Sequence, residues 1–181
     1  MGRALFATWL FVAATAVPNT VTGSDIPEKQ MFLFEISTVN YAWGREIRGL
    51  YVDSQGGVYE YNRSDADWQP ADKDAYSEAE LSDKFHKKQP KQTVEAATLA
   101  RMQKLIEPAS AGKLTPPAGR CFDAGVTRYL AYSYDQRSQR YKPVLLYQAG
   151  DIAQKNLSES ARTLYEWLFL LAGGGDSFCA P

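Results

Sequence analysis

The chain has 181 residues, 20 basic and 21 acidic side chains, a formal net charge of −1 and one histidine. Balanced, interspersed charge excludes a long-range pull on nucleic acid, and a lone His86 excludes a multi-histidine zinc site within one chain. The length suits one domain with its own core.

Residues 1–23 have the layout of a secretory signal. Arg3 supplies a positive start, Ala4 to Val17 an apolar run, and Val21-Thr22-Gly23 the small residues that a signal peptidase reads. The expected cut follows Gly23, with Ala16 the weaker alternative. The apolar run falls short of the roughly 20 residues that span a bilayer, so the mature chain is not expected to cross a membrane. Residues 24–181 then form a single exported domain, periplasmic or secreted.

Met31 to Val39 is rich in β-forming residues and reads as a first strand. Two further β-rich runs, between Ile47 and Asn62, flank the turn Ser54-Gln55-Gly56-Gly57. An even-numbered loop there puts Leu50, Val52, Tyr59 and Tyr61 on an apolar face. Tyr51, Asp53, Val58 and Glu60 fall on the other. Arg63 to Tyr76 is polar, acidic and reads as a loop.

Ser77-Glu78-Ala79-Glu80 matches a capping box that starts a short helix ending before Pro90. Thr93 to Glu107 reads as a second helix, and the prolines and glycine from Pro108 to Pro117 as a loop. Val126 to Tyr134 and Lys142 to Gln148 form a second hairpin through the polar link Asp135 to Arg140. Ala149-Gly150-Asp151 turns the chain into a last helix, capped by Asn156 or Ser158, stopped at Gly173 and expected to be the most buried element. The fold class is α+β: an antiparallel sheet built from two hairpins plus the N-terminal strand, with about three helices packed on one face.

Cys121 and Cys179 pair naturally in an oxidising compartment, closing a loop of about 60 residues worth at most about 4 kcal/mol. His86 sits among Lys84, Lys87 and Lys88 and reads as a solvated surface side chain. Asp65 and Asp67 offer alternate oxygens to calcium but lack the glycine and glutamate of an EF-hand loop. No cofactor motif is present. Asn62-Arg63-Ser64 and Asn156-Leu157-Ser158 match the glycosylation pattern.

Aromatic residues make up 13% of the chain, with 11 Tyr and 4 Trp. Tyr41, Trp43, Trp68 and Tyr76 fall in loops, where amphipathic rings bury area on a partner at low entropy cost. These residues point to an exported binding or interaction protein without catalytic activity. One form is an inhibitor or immunity-type protein that masks an extracytoplasmic protein; a glycan is the other partner class. A hydrolase using carboxylates of the 65–74 loop with Asp123 or Asp151 is the enzymatic alternative. A subunit of an envelope assembly is the structural one.

Overall fold

The computed structural model describes residues 30–64, 68, 72–86 and 89–174; the leader, Asp65, Asp67 and Cys179 lie outside the described residues. Strand β1 (Phe32–Asn40) takes an interior place in an eight-stranded sheet. On one side of it lie β2 (Glu46–Asp53), β3 (Gly57–Asn62) and the two-residue β4 (Gln92–Thr93). On the other lie β6 (Val126–Asp135), β7 (Arg140–Gly150), β8 (Ile152–Lys155) and the two-residue β5 (Ala118–Gly119). The order across the sheet is β4-β3-β2-β1-β6-β7-β8-β5, and every pairing is antiparallel. With helices α1 (Glu78–Phe85), α2 (Ala96–Gln103), α3 (Ile106–Ser110) and α4 (Glu159–Leu171), this is an α+β fold.

The β2–β3 turn departs from the even loop read in the sequence. Tyr51 pairs with Tyr59 and Val52 with Val58, which leaves Ser54, Gln55 and Gly56 as a three-residue loop. Asp53 decides the matter. Its carboxylate accepts from the Gln55 and Gly57 amides at 3.0 and 2.8 Å and from the Tyr59 hydroxyl at 2.8 Å. Gly56 takes φ +83°, a conformation glycine adopts freely. Tyr51, Asp53, Tyr59 and Tyr61 therefore share one face, and Leu50, Val52 and Val58 the other.

Each face carries a buried cluster, under different helices. Phe34, Ile36, Val52, Val58, Ala131 and Val144 meet Leu99 and Met102 of α2, Ile106 and Ala109 of α3, and Ala161, Leu164 and Leu168 of α4. Leu33 joins Phe34 on that face because β1 carries a bulge between Phe32 and Phe34. On the opposite face Phe32, Tyr51, Tyr59, Tyr61, Tyr132 and Tyr141 meet Leu81 and Phe85 of α1. The single helical face read in the sequence therefore omits α1, which an aromatic sheet face recruits to the other side. Phe85 stacks on Tyr51 with centroids 4.3 Å apart.

Local signals explain the helix bounds. Ser77 caps α1 with the reciprocal Glu80 bonds of a capping box, and His86 closes it in the left-handed region. Thr93 is drawn into β4, so α2 starts only at Ala96, and the expected continuous helix breaks after Gln103. Pro108 sits in the first turn of α3, where its missing N–H costs nothing. Ser158 caps α4, accepting from the Ala161 amide at 3.1 Å. β1, with its first five residues at 7% exposure or less, is more buried than α4, whose Leu170 is 72% exposed. No helix among the described residues is long and apolar enough to cross a membrane.

Candidate functional site

Two rows of side chains cross the α1 side of the sheet. One runs Tyr59, Tyr51, Glu35, Leu130, Leu145; the next runs Tyr61, Gly49, Ser37, Arg128, Gln148, Gln154. A bulge in β7 opposite Tyr129 and Leu130 keeps Leu145 and Gln148 on this side. α1 covers the tyrosine half of both rows. The half on β6, β7 and β8 stays open as the floor of a trough of about 670 Å³. Val39, Leu130, Pro143 and Leu145 make the apolar part of that floor, and Trp68, Tyr76 and α1 residues make the wall.

Where the covered half meets the trough lies a buried carboxylate. Glu35 is wholly buried and accepts hydrogen bonds from the Tyr61 and Tyr132 hydroxyls. Lys84 of α1 adds an ammonium 2.7 Å away, itself only 13% exposed and facing the trough. Burial pushes both tyrosine hydroxyls well above their ordinary range, and the Glu35 charge adds to it. Three donors around one carboxylate satisfy a charge that is otherwise costly to desolvate.

Arg128 occupies the middle of the floor. Its Nε donates to Gln148 Oε1 at 2.9 Å, and Gln148 is fixed in turn by donating to the Ile152 carbonyl at 3.2 Å. Its two terminal nitrogens donate to the two carboxylate oxygens of Asp72 at 2.6 and 3.2 Å. Arg128 and Asp72 also line an adjoining hollow of about 610 Å³ bounded by Asn40, Tyr41, Asp123 and Asp151.

Compared with protein-family models, curated proteins and solved structures, the chain has no match.

The residues expected to bind separate into three places. Trp68 and Tyr76 line the trough. Trp68 Nε1 donates to Asp83 Oδ2 at 3.2 Å under the Arg63 guanidinium, and the Tyr76 strand bridge to Tyr141 pins the loop onto β7. Tyr41 borders the adjoining hollow. Trp43, 85% exposed, borders neither cavity.

Two of the carboxylates proposed for hydrolysis are engaged in other contacts. Asp72 holds Arg128, and Asp151 Oδ1 accepts from the Ala124 amide at 2.9 Å. Among the described residues no cluster of three histidine, cysteine or acidic side chains is placed to hold a metal ion. His86 is an exposed helix cap 3.6 Å from Asp83.

Sequence reasoning missed Glu35, Lys84 and Arg128. A signal existed for the first: Phe32-Leu33-Phe34-Glu35-Ile36 sets a carboxylate inside an otherwise apolar strand, which demands a buried partner.

Proposed function

We propose that the chain is an exported, non-catalytic binding protein whose binding surface is the trough beside α1. The observation that carries this reading is the half-covered face. α1 seals the tyrosine side of the sheet, while Val39, Leu130, Pro143 and Leu145 remain as an apolar floor under a Trp68–Tyr76 wall. A cavity of this size with a few fixed polar groups suits ligand binding. Engagement of Glu35, Asp72 and Glu80 by cationic or hydroxyl partners supports a binding role over a hydrolytic one. The export leader, the Cys121–Cys179 bridge and the plan of two hairpins, β2–β3 and β6–β7, flanking β1 belong to the same reading.

The test is native mass spectrometry of protein purified from its own source, beside a Leu145→Trp variant that fills the trough from its floor. A bound species kept by the wild type and lost from the variant is expected. Equal retention by both sinks the proposal.

A protein partner is the second reading, favoured by the end of the sheet. Tyr41, Trp43 and Phe122 are 55%, 85% and 97% exposed there. Their two loops are tied by the Asn40 side chain donating to the Asp123 carbonyl at 3.3 Å. A masking, inhibitor-type contact through these rings predicts that Trp43→Ala with Phe122→Ala abolishes capture of a partner that wild-type protein retains.

A further inference from the structure

We propose that the trough receives an amphiphilic monocarboxylate, whose head group pairs with Arg128 in the place now taken by Asp72. The inference rests on the trough being the binding surface and adds the chemistry of its occupant.

Arg128 is aimed before anything binds. Gln148, only 7% exposed, takes its Nε and leaves the two terminal nitrogens as a fork directed across the floor. The fork now holds both oxygens of Asp72, so the fold itself displays a planar carboxylate bound two-pronged at this point. Asp72 is 78% exposed and comes from the wall, not the floor. A pair exposed to that degree contributes little, so an incoming carboxylate exchanges with it at small cost.

The rest of the molecule follows from what adjoins Arg128. Leu130 lies one side-chain row beyond Arg128 along β6, with Leu145 directly across from it and Pro143 beyond, a dry strip for an alkyl body. An extended peptide is disfavoured, because β1, β6 and β7 are interior strands whose backbone edges are already paired. A dianionic head group is disfavoured by the wall, where Asp74, Glu80 and Asp83 stand and where Lys73 and Lys84 are matched to Glu80 and Glu35. One fork, an apolar strip and an acidic wall select one negative charge on an apolar body.

In this arrangement Asp72 is a resident competitor. It keeps Arg128 satisfied when the trough is empty and sets a threshold that a carboxylate ligand has to exceed.

The experiment titrates the intact protein with octanoate and, as the uncharged control, 1-octanol. Binding is read by calorimetry and by the NMR signal of the Arg128 Nε–H. Asp72→Ala is expected to bind octanoate about five-fold more tightly than wild type. Arg128→Gln is expected to bind it at least about ten-fold more weakly, with 1-octanol unchanged across all three. Arg128→Lys, which keeps the charge without the fork, falls between them and guards against a folding defect in Arg128→Gln.

Octanoate affinity that is equal in wild type, Asp72→Ala and Arg128→Gln overturns the carboxylate assignment. If 1-octanol still binds and Leu145→Trp blocks it, the trough reading survives that failure. Absence of binding by both probes overturns the assignment too, and the co-purification experiment then decides the trough separately.

Discussion

Tyr61 stands directly opposite Gly49 in the β2–β3 ladder, and the space of the missing side chain is where the tyrosine ring lies on its way to Glu35. A Cβ on Gly49 would meet the Ile36 carbonyl oxygen at 2.0 Å and the Tyr61 hydroxyl at 2.7 Å. Gly49→Ala is expected to cost about 3 kcal/mol through overpacking and a displaced hydroxyl. Chemical denaturation measures it: the midpoint falls with an unchanged slope, and a loss near zero refutes the packing account.

Lys84→Met strands the Glu35 carboxylate without its cation. Removal of one partner of a buried pair costs about 3 kcal/mol. Replacing Glu35 by Gln in that background removes the orphaned charge and recovers part of the loss. A double variant less stable than Lys84→Met alone contradicts the view that charge burial, not packing, dominates here.

The alkaline limit of the fold is set by its tyrosines. Burial, aided by the Asp53 bond, pushes Tyr59 up to about 12, and burial does the same for Tyr129. Both raise the folded-state value above the ordinary 10.0, so their contribution is complete below pH 10 and drains away as pH climbs through 12. Tyrosinate absorbance is expected to rise late and together with loss of structure. All 11 tyrosines titrating near pH 10 in a folded protein would falsify this.

Acid acts first on the start of α1. Lys73 and the Ser77 amide and hydroxyl hold Glu80 down to about 2, against an ordinary 4.5. A depressed carboxylate stabilises above its unfolded value, so this support is complete above pH 4.5 and fades as pH falls toward 2. Hydrogen exchange at the Leu81 amide, bonded to the Ser77 carbonyl, is expected to accelerate over that window and not at neutral pH.

The two glycosylation triplets differ in access. Asn156 is 8% exposed and gives both amide hydrogens to the Ala109 and Leu145 carbonyls, while Asn62 is exposed. Expression in a glycosylating host is expected to modify Asn62 alone by peptide mass. Asn156→Ala strands two carbonyls at a cost of about 2 kcal/mol.

What the sequence discloses here tracks the range of the interactions involved. The capping box of α1 and the Ser158 cap are local bonds between residues three apart; the sequence displays the first outright and offers the second as one of two candidates beside Asn156. The β2–β3 turn was misread because apolar alternation assumes one wet face. Here both faces are covered, and the Asp53 carboxylate, not the pattern, sets the loop length.

The position of α1 followed from tyrosines at 51, 59, 61, 132 and 141 converging across strands, which no window of the chain displays. β8 carries little strand signal because its four residues, two apolar and two polar, are half-buried or exposed, held by pairing with β7 rather than by a core. Trp68 and Tyr76 stand out in the sequence as aromatics placed in a loop; Arg128 requires the register that places it beside Gln148.

The middle of the sheet joins distant parts of the chain: Phe34 of β1 is paired with Ala131 of β6, across nearly a hundred residues of intervening sequence. The first strand to emerge thus finds a partner on one flank within its own hairpin neighbour but waits for most of the polypeptide before the other flank is filled. A chain wired this way closes late, and it stays threadable until most of its length has been made.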